Sequence, residues 1–201
     1  YLGSMAGKSI ANVVSGKVNP SGKLPFSFPV RLEDNGAHSF GAISYPGDSI
    51  NQEYLEDILV GYRWHDTKKI PARYSFGHGL SYTSFDYGKP VASAKTIGSD
   101  ESLTITIPVR NTDDRDGKET VQLYIGDDKA SVLRPLKELK GFEKIELAPG
   151  EEKTVNFTIT PDALKFYDDK TASWVAEPGK FRAYIGSSST DIRATVPYAP
   201  Q

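Results

Sequence analysis

The chain has 201 residues, with 24 Lys+Arg against 26 Asp+Glu, three His and no Cys. A formal charge of -2 offers no basic footprint for nucleic acid or an anionic membrane, and the lack of cysteine excludes disulfide scaffolds and thiolate-bound metals. Length allows one or two domains with their own core, and apolar runs such as Ile58-Leu59-Val60 fall far short of the roughly 20 residues of a membrane span.

In chain order, the spacing of Leu2, Met5, Ala6, Ile10, Val13 and Val14 predicts a helix over 2 to 15, stopped by Gly16. Asn19-Pro20-Ser21-Gly22 predicts a turn. Pro25 and Pro29 then bracket a short extended piece suited to an edge strand or a strap. From Val30 to about Tyr82 no period is sustained. An irregular stretch of about 50 residues is unusual inside a compact domain, so this segment is expected to wrap another domain.

From Phe85 onward the pattern alternates with period two. Leu103, Ile105, Ile107 and Val109 predict one half-buried strand, and Val121, Leu123 and Ile125 predict the next. Val155, Phe157 and Ile159 follow the turn Ala148-Pro149-Gly150. Phe181, Ala183 and Ile185 follow Glu177-Pro178-Gly179, and Ile192, Ala194 and Val196 close the set. With Phe85 to Val91 as an opening strand and Phe142 to Leu147 as a middle one, about seven short strands result, which suits an immunoglobulin-like or fibronectin-like sandwich. The fold class is therefore mainly β, with 1-82 as a helix and irregular strap and 83-201 as the sandwich. Lacking a disulfide, the core is expected to be filled by Trp174 and other aromatics. Tyr124 and Tyr184 alternate onto the opposite face and are candidates for a row of exposed rings that binds polysaccharide.

Few motifs carry chemistry. Gly3-Ser-Met-Ala-Gly7-Lys8-Ser9 is one residue short of a nucleotide-binding loop and lies inside a helical pattern, so it reads as small residues at a packing surface. His38, His65 and His78 have no metal-ligand spacing, and Gly77-His78-Gly79-Leu80-Ser81 is no nucleophile elbow. No metal or other cofactor is implied. Asp113, Asp114, Asp116, Asp127 and Asp128 read as turn residues, with calcium as a minor alternative. Glu53, Glu56, Asp57 and Asp66 are the carboxylates from which a glycosidase pair would be drawn if this chain acted alone; solvated charges or salt bridges are the plainer reading. Tyr62, Trp64 and His65 form the densest aromatic and polar cluster, suited to an interdomain packing plug or to stacking on a sugar ring. Asn156-Phe157-Thr158 matches a glycosylation acceptor on the face turned from the core.

Read together, Asn19-Pro20-Ser21-Gly22-Lys23-Leu24-Pro25, Val60-Gly61-Tyr62-Arg63-Trp64 and Ser75-Phe76-Gly77-His78-Gly79-Leu80-Ser81-Tyr82-Thr83 resemble the C-terminal part of glycoside hydrolase family 3. Lys137-Glu138-Leu139-Lys140-Gly141-Phe142 and Leu147-Ala148-Pro149-Gly150-Glu151 resemble phrases of that family's fibronectin type III-like third domain. The resemblance implies that residues 1-82 end the family's α/β sandwich domain and that 83-201 are the third domain. It also implies that the nucleophilic Asp and the acid/base Glu lie upstream, so no catalytic residue is carried over to this chain. The implied function is the structural or accessory portion of a retaining, exo-acting β-glucosidase-like hydrolase, with β-xylosidase as the alternative activity. Its implied partners are the rest of that hydrolase and, through it, a β-linked oligosaccharide; no nucleic acid or membrane partner is expected. Beginning at Tyr1 without an initiator Met, the chain reads as a fragment whose leader, if any, has been removed or lay further upstream. The compartment stays open, a periplasmic or secreted place being favoured over the cytoplasm for a bacterial source.

Overall fold

The computed structural model describes residues 3–98 and 101–200, so Leu2 of the predicted helix lies outside the described residues. A single 3-10 turn at Gly3–Met5 leads into α1 (Ala6–Val14), which ends where the Ser15 and Gly16 amides bond back to Ala11 and Val13. The apolar spacing that forms this helix leaves Met5, Ile10 and Val14 exposed at 56%, 52% and 77%, and no residue of α1 is buried. The aperiodic stretch that follows is irregular, as its sequence predicts. It contains two short helices, α2 (Gly36–Ser39) and α3 (Tyr62–Lys68), and one small antiparallel pair of β1 (Phe28–Pro29) with β2 (Ala72–Tyr74). The piece between Pro25 and Pro29 is thus partly a strand, and it pairs within the strap itself.

Two sheets form the sandwich. The five-stranded sheet runs β5 (Thr96–Ile97), β13 (Ile192–Pro200), β12 (Phe181–Gly186), β7 (Gly117–Asp127), β8 (Glu138–Leu147); β5 joins β13 in parallel and the other pairs are antiparallel. In the second sheet β6 (Leu103–Asn111) is central. It pairs with β9 (Glu152–Ile159) on one side and with β3 (Phe85–Tyr87) and β4 (Val91–Ala92) in succession on the other. A hairpin of β10 (Phe166–Asp168) and β11 (Ser173–Val175) projects from the side. The inward faces named by alternation are the core: Leu103, Ile105, Ile107 and Val109 meet Val121, Leu123, Val155, Phe181 and Ile185, all at or near zero exposure. Asn156 points outward, where its Oδ1 accepts the Thr106 hydroxyl at 2.8 Å. Asp113 is a turn residue, accepting the Ser84 N–H at 2.5 Å.

Several expectations are corrected. The strand drawn from Phe85 to Val91 is broken in two, because Pro90 has no N–H to give a ladder, while the Gly88 amide turns to the Pro108 carbonyl at 2.8 Å. The middle strand begins at Glu138, four residues before Phe142; charged Glu138 and Lys140 hid its start, and Phe142 is 67% exposed. Trp174 does not fill the core. It sits on the hairpin, 67% exposed, edge-on to Tyr167 with ring centroids 5.7 Å apart. Tyr124 does not face solvent: it is fully buried, because Tyr62 of the strap lies over it, and its cross-strand partner Tyr184 is half-buried.

Leu147 is fully buried between the sheets, whereas Phe142 on the same strand packs little. Leu147→Ala is expected to cost about 2–5 kcal/mol in urea unfolding and Phe142→Ala no more than about 0.5 kcal/mol. Comparable losses at both positions would contradict this assignment of the core.

Candidate functional site

The loop phrases singled out in the sequence meet at one seam between strap and sandwich. Asn19 is its most connected residue. Its Nδ2 donates to the Thr83 hydroxyl (2.6 Å) and the Asp116 carbonyl (2.9 Å), and its Oδ1 accepts from the Ser81 hydroxyl (2.9 Å) and the Tyr82 amide (2.8 Å). All four bonding positions of an Asn side chain are filled, which no other residue of that size supplies. Five residues on, the Leu24 amide and carbonyl pair with the His78 carbonyl (2.9 Å) and the Gly77 amide (2.8 Å). Gly77 has φ 78, and a Cβ there would run into the Gln122 amide group; a Cβ on Gly79 would run into the Gly22 carbonyl. Both positions therefore require glycine.

The second phrase builds α3 against the outer face of β7 and β8. The Tyr62 ring stacks on Phe76 at 4.7 Å and meets the Tyr124 ring edge-on at 5.8 Å, while its hydroxyl accepts the Leu139 amide at 2.8 Å. Tyr124 donates to Gln122 Oε1 (2.5 Å), and Gln122 Nε2 donates to the carbonyls of Gly77 (3.2 Å) and Ser187 (2.6 Å). Asp66 and Lys137 form a buried ion pair at 2.5 Å, and Arg63 pairs with Glu138 at 3.0 Å. Burial raises the Tyr124 phenol far above its ordinary range, with Tyr62 and Asp66 adding to the effect. Burial also raises the Asp66 carboxyl, outweighing the pull of the Lys137 ammonium.

Trp64 is 6% exposed, its indole N–H donating to the Asp34 carbonyl at 3.2 Å and its ring lying beside Gly36 and edge-on to Phe40 at 5.6 Å. His65, also 6% exposed, has Nδ1 at 3.1 Å from the Ile70 carbonyl, which fixes that nitrogen as the protonated one. The cluster Tyr62, Trp64 and His65 thus has its aromatic faces occupied by protein groups. Of the candidate carboxylates, Asp66 is bound to Lys137, Glu56 is buried with the Ser44 hydroxyl at 3.5 Å, Asp57 accepts the Ile58 amide at 2.7 Å, and Glu53 is exposed. Among the described residues no three His, Asp or Glu side chains gather as a metal site. His38 and His78 each lie against a tyrosine ring, Tyr45 and Tyr74. Sequence reasoning missed Gln122 and Asn19 as junction residues, since a single amide carries no periodic signal.

A β-sandwich clasped by an irregular strap has counterparts among known proteins. Residues 1–82 match the model of the glycosyl hydrolase family 3 C-terminal domain, and 119–189 match the fibronectin type III-like domain. The chain belongs to glycoside hydrolase family 3. It is 63% identical over 198 residues to β-glucosidase BoGH3A of Bacteroides ovatus, covering 98% of this chain and 26% of that protein. Thermostable β-glucosidase B of Acetivibrio thermocellus is 46% identical, covering 96% and 25%. Among solved structures, the family 3 β-glucosidase of Bifidobacterium adolescentis superposes with a TM-score of 0.89 at 36% identity, over 96% of this chain and 28% of its own. The chain spans about a quarter of the length of the curated relatives it matches.

Two outcomes follow from the seam. Asn19→Ala removes four hydrogen bonds from a half-exposed seam and is expected to cost about 1–3 kcal/mol, while Tyr62→Phe, which removes only the acceptor for Leu139, should cost about 1 kcal/mol; denaturant titration orders them. Asp66 holds its proton more tightly folded than unfolded, so its contribution to stability is full below the ordinary value of 3.8 and is lost as pH rises through the raised folded value. Relative to Asp66→Asn, the native chain should therefore lose stability as pH climbs from that point toward neutrality; a parallel pH dependence of the two would contradict the raised carboxyl.

Proposed function

We propose that this chain is the C-terminal structural portion of a retaining, exo-acting β-glucosidase that removes terminal β-D-glucosyl residues, its two catalytic carboxylates lying in the remainder of that enzyme. The observation that carries this reading is the uncovered apolar surface of α1 and the strap. Met5, Ile10, Val14, Phe26, Leu32 and Val60 are all more than half exposed, although the sandwich beside them buries its own core completely. A surface of this kind calls for a partner. In this reading residues 1-82 complete a neighbouring α/β sandwich domain and 83-201 brace it from outside. The β-linked oligosaccharide meets the remainder of the enzyme. Tyr62, Trp64 and His65 serve substrate binding through rigidity, by locking the strap on which the substrate-facing domain is built. The glucosidase names of the relatives support a glucoside over a xyloside.

The test is a chimera in which this chain replaces the matching C-terminal quarter of the Bacteroides ovatus enzyme. The chimera should release nitrophenol from an aryl β-glucoside, and this chain by itself, at verified mass, should release none. Turnover by the isolated chain, or a folded but inert chimera, would contradict the proposal.

A further inference from the structure

A groove between the 132–135 loop, residues 57–63 of the strap and the β10–β11 hairpin borders the seam at the Arg63–Glu138 ion pair. It holds about 660 Å³, within the range of about 300–1,000 Å³ common for small-ligand sites. One wall is aromatic. Tyr167 and Trp174 sit directly opposite each other across the hairpin and are 54% and 67% exposed. Leaving an indole in water forgoes burial that contributes about 1.5–3 kcal/mol for a large apolar side chain, so the exposed ring stands as an available platform.

The platform is mounted rigidly. Asp168 accepts the Lys170 amide (3.1 Å) and the Thr171 hydroxyl (2.8 Å), closing the turn. At the base, Arg134 lies over the Phe166 ring at 5.4 Å, donates to the Leu164 carbonyl at 3.2 Å and is ion-paired with Asp127 at 3.5 Å. A ligand here would spend little free energy on ordering the site.

The charges select the ligand class. Four carboxylates and four cationic side chains line the groove, with Asp57, Arg63, Lys140 and Asp169 among them, so its lining carries no net formal charge. Many polar donors and acceptors, no net charge and an aromatic platform suit a neutral polyhydroxylated ring: the apolar face of a sugar stacks on the indole while its hydroxyls bridge the rim. We propose that this groove binds a neutral oligosaccharide, a short β-glucan segment with one ring stacked on Trp174. The choice of β-glucan rests on the glucosidase reading above. Binding is measured on this chain and activity on the chimera, so the two proposals fail separately.

The experiment is calorimetric titration of the chain with cellotetraose, with intrinsic fluorescence followed in parallel, since Trp174 is the exposed indole and Trp64 the buried one. Saturable binding with a fluorescence change is expected. Trp174→Ala should weaken it at least about tenfold, Trp174→Tyr should restore much of it, and Phe142→Ala, an exposed ring elsewhere, should leave it unchanged. Absence of saturable binding by the native chain, or equal binding by Trp174→Ala with an unchanged circular dichroism spectrum, would overturn the proposal. So would a concentration-dependent dimer that Trp174→Ala dissolves without any response to sugar, which would assign the groove to a second copy of the chain.

Discussion

The outer face of the five-stranded sheet is covered by the chain's own strap, and the rest of the structure depends on that burial. In an antiparallel sandwich the outward residues of a central strand normally meet water, and the sequence alternates accordingly. Here Gln122 and Tyr124 are buried at 3% and 0% exposure, which is tolerable only because every polar atom they carry has a partner. Gln122 bridges the Gly77 and Ser187 carbonyls, Tyr124 bonds Gln122, and Tyr62 seals the group from above. The strap has little regular structure to hold it in place, and these contacts with the sheet supply the order that its own backbone lacks.

The sandwich was largely legible because two facing sheets enforce alternation. Leu103 to Val109 and Phe181 to Ile185 read directly as half-buried strands, and the structure buries those side chains. Legibility failed where a strand has a second burial partner or none. The alternation at Tyr124 is genuine, but the surface it faces is a strap distant in sequence, and no local pattern announces that. At Trp174 the size of the ring suggested a core role, yet the hairpin that carries it stands outside both sheets.

The site was legible as wording more than as geometry. The phrases around Asn19, Tyr62 and His78 stood out by their resemblance to the family's wording, and the structure brings all three to one seam. Spacing alone could not join them, since the Asn19 contacts reach 62 to 97 residues along the chain. A side-chain amide that ties three loops together leaves the same trace in a sequence as any turn asparagine. The chemical role of the seam is mechanical. It fixes the strap, and with it the apolar surface that the strap and α1 present, to a rigid sandwich.

Whether strap and sandwich are one cooperative body is best decided by denaturant unfolding followed with two probes: Trp64 emission for the strap, in a Trp174→Phe background, and backbone circular dichroism for the sheets. The seam predicts coincident transitions with a single midpoint. Loss of the Trp64 signal at lower denaturant, with the sheets still intact, would show that the strap is held only loosely and would contradict the account.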